Sequence, residues 1–200
     1  FCKIFLNGMG EKNFTKLHSF NLIKYLVTTN PDSDDFSKNM MLSALKNTDE
    51  RVKNNQSVTP GFLLAALLWP ILLARCTKNN EINIRKFFRS MDGVLREQQR
   101  LTAIPRKFNS YIKDIWVLQL KLHSRIKSQP YKTIRHPRFR AAYDFLLVRE
   151  RASNDQKGLG KWWTDFQKND DALRGSLIAR MNEKSDTESS KIFGFYNELR

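Results

Sequence analysis

Cysteine is nearly absent from this sequence, with only Cys2 and Cys76 in 200 residues, far apart and in no CxxC or Cys/His spacing. That scarcity supports neither a disulfide framework nor a cysteine-based zinc site, and the expectation is a reducing, cytoplasmic setting with no disulfide-linked partner. Histidine is equally sparse. His18, His123 and His136 have no metal-ligand spacing, and none is followed by Asp as a His/Asp hydrolase site would require. The longest apolar run, 61–74, has fourteen residues with Pro70 inside it, whereas a bilayer-spanning helix needs about 20. It reads as a buried core helix, and no membrane partner is expected. With only 8 Gly and 6 Pro, the composition is that of a packed helical protein and not of a disordered one.

What is present is a packed helical pattern: 40% of the residues are hydrophobic and 12% aromatic. Apolar residues recur at helical spacing almost throughout, and no segment alternates as a strand between hairpin turns. The expected fold is all-α, an irregular helical bundle of about seven to nine helices. A helical pair over 3–27 breaks near Gly8 and turns Phe14, Leu17, Leu22 and Leu26 inward. Asn30 to Ser33 form a turn, because the residue before Pro31 disfavours helix and Asp and Ser supply capping oxygens. Helices follow at 34–54, 60–76, 82–101, 106–127 and 137–152. A last compact helix carries Leu159, Trp162, Trp163 and Phe166. Residues 182–191 hold no apolar anchor, so a linker is expected there. The domain reading is a neck-like region at 1–56, a body at 57–168 and a weakly ordered tail at 169–200.

Charge of one sign is in short supply: 20 Asp and Glu face 35 Lys and Arg, a net +15. The excess is concentrated, since 106–161 holds 14 basic residues against 4 acidic ones. Solvated faces mix signs, so one-sided density points to a surface that tracks phosphates. The candidate residues for this nucleic-acid-binding surface are Arg106, Lys107, Lys113, Lys121, Arg125, Lys127, Lys132, Arg135, Arg138 and Arg140, and charge alone does not separate RNA from DNA. Lys121 and Arg125 share a face if one helix spans both. Arg135, Arg138 and Arg140 surround the next helix start, where unpaired amides would also favour a phosphate.

Three other strings have chemical readings beside simpler ones. Asp32-Ser33-Asp34 resembles the carboxylate pair on which nucleotidyltransferases hold magnesium, yet it follows Asn30-Pro31 and precedes a helix with no glycine pair nearby. It reads as an N-capping turn. Cys76, beside Arg75, could be an activated thiol, but at the end of an apolar helix it reads as buried and inert. Trp162 and Trp163 could stack on unpaired bases, although the helical spacing to Leu159 and Phe166 places at least one in the core.

The stretch His136-Pro137-Arg138-Phe139-Arg140-Ala141-Ala142-Tyr143-Asp144-Phe145-Leu146-Leu147, then Lys161-Trp162-Trp163 and Phe166-Gln167, resembles the C-terminal domain of the bacterial poly(A) polymerase I family. Leu45-Lys46-Asn47-Thr48-Asp49-Glu50-Arg51, Pro60-Gly61-Phe62-Leu63-Leu64-Ala65-Ala66, Trp69-Pro70, Ala103-Ile104-Pro105-Arg106-Lys107 and the 114–120 string are similar to the same family in the same order. The first helical region also resembles the CCA-adding relatives, so the body of a CCA-adding tRNA nucleotidyltransferase is one alternative and a non-enzymatic basic scaffold another. The resemblance implies a helical neck and body that guide RNA 3′ ends toward a nucleotidyltransferase head holding ATP and magnesium. That head's motifs have no counterpart in these residues. No catalytic residue and no metal ligand carries over, and the chain is expected to be inactive alone. The family often ends in a dense basic tail, whereas 169–200 mixes Asp170, Asp171, Glu183, Asp186, Glu188 and Glu198 with its bases, so RNA binding through these residues is not expected.

Overall fold

Two of the long helices start where a side chain caps them, at Asp34 and at Asn83. The computed structural model describes residues 1–78, 81–153 and 158–192. Asp34, with extended backbone, accepts from the Ser37 amide at 2.7 Å and so caps α3 (Asp35–Lys53). The Asp32-Ser33-Asp34 string is therefore a cap and not a metal pair: Asp32 instead accepts from the His18 ring at 2.9 Å. Burial pushes the Asp34 carboxyl up, but hydrogen bonds from Ser37, Ser33 and Phe36 outweigh it and leave the group below its ordinary value. Among the described residues no group of three or more His, Cys, Asp or Glu could hold a metal ion.

Before α3 lie α1 (Cys2–Phe5), α2 (Gly10–Ser19) and a 3-10 turn at Ile23–Tyr25. Leu22, expected inward, is 42% exposed. Asn21 adopts a left-handed φ of 55°, which ends the face that Phe14 and Leu17 share, and Ile23 is buried in place of Leu22.

The apolar run forms two helices, α4 (Pro60–Leu67) and α5 (Trp69–Cys76), and not one. Pro70 has no N–H for the Ala66 carbonyl and its ring would crowd that oxygen, so the helix restarts around Leu68. After α5, Thr77–Lys78 pairs antiparallel with Glu81–Ile82, the only β pairing among the described residues. The chain continues as α6 (Ile84–Leu101), α7 (Lys107–Leu122), α8 (Gln129–Ile134), α9 (Phe139–Ser153), α10 (Leu159–Lys168) and α11 (Asp171–Ile192). Eleven α-helices are thus present among the described residues, an all-α bundle as expected, though with more and shorter members.

Helix α7 stops at Leu122, five residues short of the expected end. Lys127 takes a left-handed φ of 51° and Pro130 opens α8, so the chain turns where a continuous helix was expected. Through 182–191, where polar composition suggests a linker, the backbone stays helical. The first half of α11 is docked, with Ile178 buried and Leu177 and Met181 packed beside it.

Two cores result. The larger draws Phe5, Met40, Leu45, Trp69, Phe87 and Trp116 into one cluster that crosses the expected boundary near residue 56. The smaller joins Leu118 and Leu122 of α7 to Phe139 and Leu146 of α9, Trp163 and Phe166 of α10, and Ile178. Because α7 and α9 contribute to both, they fix one core against the other. Two indoles tie the layers: Trp116 Nε1 donates to the Ala65 carbonyl and Trp163 Nε1 to the Leu122 carbonyl, each at 2.9 Å. Trp162 is also buried, at 8% exposure, so neither tryptophan is a surface stacking platform. Burial raises the Cys76 thiol above its ordinary value, with hydrogen bonds to Thr77 and its own backbone opposing weakly, as befits an inert thiol.

Candidate nucleic-acid interface

Eight of the ten candidate side chains lie on the surface: Arg106, Lys107, Lys121, Lys127, Lys132, Arg135, Arg138 and Arg140 belong to exposed residues. The other two are less exposed. Lys113 is ion-paired with Asp92. Arg125 lies three residues beyond the end of α7 and so shares no helix face with Lys121. Its guanidinium is 5.9 Å from the Trp162 ring centre, its Nε is buried without a hydrogen-bond partner, and burial lowers its pKa. The start of α9 offers fewer amides than expected, because Arg138 N–H donates to His136 Nδ1 at 3.1 Å and Phe139 N–H to the His136 carbonyl at 2.8 Å.

Arg138 and Arg140 converge with groups outside the basic segment. A cleft of about 230 Å³ lies between the end of α3, the loop before α4, α7 and the start of α9. Its lining includes Asn47, Arg51, Thr59, Phe62, Tyr111 and Asp144 beside the two arginines. Three guanidinium groups face one carboxylate there, which leaves two formal positive charges. Asp144 is shared: Arg140 Nε approaches it to 3.1 Å and Arg51 to 3.6 Å. Arg138 lies over Tyr111, its guanidinium 4.9 Å from the ring centre.

The cleft floor depends on a missing side chain. A Cβ on Gly61 would sit 2.8 Å from Tyr111 Cδ1 and 3.1 Å from Phe108 Cδ1, so glycine lets the start of α4 close on both rings. Burial raises the Tyr111 phenol above its ordinary value, partly offset by a hydrogen bond with Thr59 and by the Arg138 charge. The Asn47 Oδ1 is buried with no hydrogen-bond partner.

Arg51, Asn47 and Tyr111 were not among the sequence candidates. A partial signal existed, since three of the strings that carry the family resemblance, at 45–51, 60–66 and 136–147, all contribute to this cleft. Charge counting along the chain could not find Arg51, which pairs with a carboxylate contributed by a distant helix.

Fold and surface together define a basic, all-helical module whose described residues contain no metal-holding carboxylate centre. Residues 79–192 match the family model of the polymerase A arginine-rich C-terminus. Over 176 residues the chain is 32% identical to poly(A) polymerase I of Salmonella typhimurium, covering 82% of this chain and 38% of that protein. It is 35% identical over 177 residues to poly(A) polymerase I of Escherichia coli O157:H7, with the same coverage. It is 33% identical over 186 residues to that of Haemophilus influenzae, covering 88% of this chain and 41% of that protein. The chain belongs to the bacterial poly(A) polymerase I family and corresponds to a C-terminal portion of it. It spans about two-fifths of the length of these relatives.

Proposed function

We propose that this chain is the RNA-holding C-terminal portion of a cytoplasmic polymerase that adds adenosines from ATP to RNA 3′ ends. The observation that carries the reading is the exposure of eight basic side chains within 106–161, a segment with few acids. Such a surface binds strands through their phosphates, which fixes position without reading sequence. Adenylyl transfer needs ATP and magnesium, and the described residues do not fit a magnesium centre: Asp34 caps a helix and Asp32 faces His18. On this reading the transfer chemistry belongs to another part of the parent protein, and these residues supply grip and orientation. No helix among the described residues is long and apolar enough to cross a membrane.

The test is binding of a labelled single-stranded RNA by the isolated chain, followed by fluorescence anisotropy in increasing salt. A steep loss of affinity with salt, with an acidic polypeptide of equal charge failing to compete, supports the reading. Equal binding of RNA and the acidic polypeptide would instead favour a basic scaffold for an acidic protein.

A further inference from the structure

The cleft has features that a phosphate-tracking surface does not need. It is lined by an aromatic ring, a planar cation and a polar amide, and its charge is only partly neutralised by Asp144. We propose that this cleft takes one nucleobase out of the bound strand, held on the Arg138 plane and by its edge on Asn47. The proposal rests on the RNA-binding reading above and adds a base-dependent contact to it.

Size sets the occupant. At about 230 Å³ the cleft is smaller than the roughly 300–1,000 Å³ sites of drug-sized ligands, so it admits one nucleotide unit and not a stacked run. Arg138 supplies the stacking surface. Its guanidinium carbon lies over Tyr111, 4.9 Å from the ring centre, and the residue is exposed and lines the cleft, so the ring does not cover the whole side chain. Unpaired bases stack on arginine planes as they do on aromatic rings. Asn47 supplies the edge contact. The residue lines the cleft and its Oδ1 is buried without a partner, a costly arrangement that rotation of the amide toward a donor in the cleft would relieve. An adenine meets both needs of the amide, since its exocyclic amine donates to the oxygen while a ring nitrogen accepts from Nδ2. Arg140 completes the site: its side chain is 74% exposed and its ion pair with Asp144 runs through Nε, so the outer end of the guanidinium can meet a flanking phosphate without disturbing the core.

Base recognition and phosphate recognition separate experimentally. Affinity of the whole chain is measured for oligo(A) and for an abasic strand with the same number of phosphates, each across a salt series. The variants are Asn47→Ala and the charge-conserving Arg138→Lys, which keeps the cation and removes the plane. Arg138 is on the surface, so Arg138→Lys leaves the fold intact even if Asn47→Ala does not. The expected result is tighter binding of oligo(A) than of the abasic strand by the parent chain. Each variant should bind oligo(A) about tenfold more weakly, with abasic binding and salt slope unchanged. Equal weakening on both strands, or none on either, would overturn the proposal while leaving RNA binding in place. Failure of the parent chain to bind either strand would overturn the RNA reading itself.

Discussion

The carboxylate of Asp49, near the end of α3, accepts a 2.7 Å hydrogen bond from the backbone amide of Gly10, the first residue of α2. Its second oxygen takes the Glu11 amide at 3.0 Å. No local side chain caps α2, so a helix 38 residues further along the chain does so in its place. The approach is close enough to need glycine, because a Cβ at Gly10 would lie 2.9 Å from the Phe5 carbonyl oxygen and 3.2 Å from Asp49 Oδ1. Hydrogen bonds to a charged acceptor contribute about 1.5–3 kcal/mol each. Asp49→Ala should therefore cost about 2–4 kcal/mol in denaturant unfolding, and Gly10→Ala should also destabilise. A change within about 0.5 kcal/mol, the range of neutral surface substitutions, would show that the cap is cosmetic.

Trp163→Ala should cost roughly 3–5 kcal/mol, because the ring is fully buried between α9 and α10 and its N–H satisfies the Leu122 carbonyl. Trp69→Ala, in the larger core, should cost about as much. Unchanged thermal stability together with weakened RNA binding would mean that these rings are a stacking surface after all.

The two cysteines should behave oppositely toward a thiol reagent. Cys2 is exposed and should react in the native protein, whereas Cys76 is buried and should react only on unfolding. Burial raises the folded-state pKa of Cys76 above that of the unfolded chain. Its contribution is then intact below the ordinary thiol value near about 8.5 and is lost as pH rises through the higher folded value. Cys76→Ala should flatten that part of the alkaline limb, leaving the later fall due to Tyr111, whose pKa is also raised. A native Cys76 that reacts as fast as Cys2 would contradict the burial argument.

An acid limb should come from Glu97. The hydrogen bond from Arg75 holds this carboxyl below its ordinary value, with burial opposing. Its contribution is present above the unfolded Glu value near about 4.3 and is lost as pH falls through the lower folded value. Arg75→Gln should make stability less sensitive to pH below about 4.3. An unchanged acid limb in that variant would assign it to other carboxylates.

Much of the fold was legible because caps and prolines act locally. Asp34 and Thr59-Pro60 each start the helix that their chemistry favours. Three features were hidden for different reasons. The split at Leu68 turns on one proline inside an otherwise continuous apolar run. The turn after Leu122 depends on a left-handed Lys127, a conformation that its residue type does not advertise. Helix through 182–191 lacks an apolar stripe, so periodicity gives no sign of it. For the site, the density of bases along 106–161 was visible, but its partners were not. Arg51 and Asn47 reach the cleft from α3 through tertiary packing, which no spacing along the chain encodes.

The most direct test of phosphate tracking by the exposed basic segment is the slope of log affinity against log salt for single-stranded RNA. The comparison is between Arg135, Arg138 and Arg140 changed together to Gln, and Lys3, Lys12 and Lys16 changed together to Gln. Both triple variants give up the same formal charge, and only the first lies in the segment. Removing one cation that neutralises a phosphate should lower the slope by about 0.7. The arginine variant should therefore show a slope reduced by about 2, with A-rich and mixed-sequence RNA both weakened, while the lysine variant keeps the parent slope. Equal reductions in the two variants would mean that diffuse charge holds the RNA, and would contradict a phosphate track along this segment.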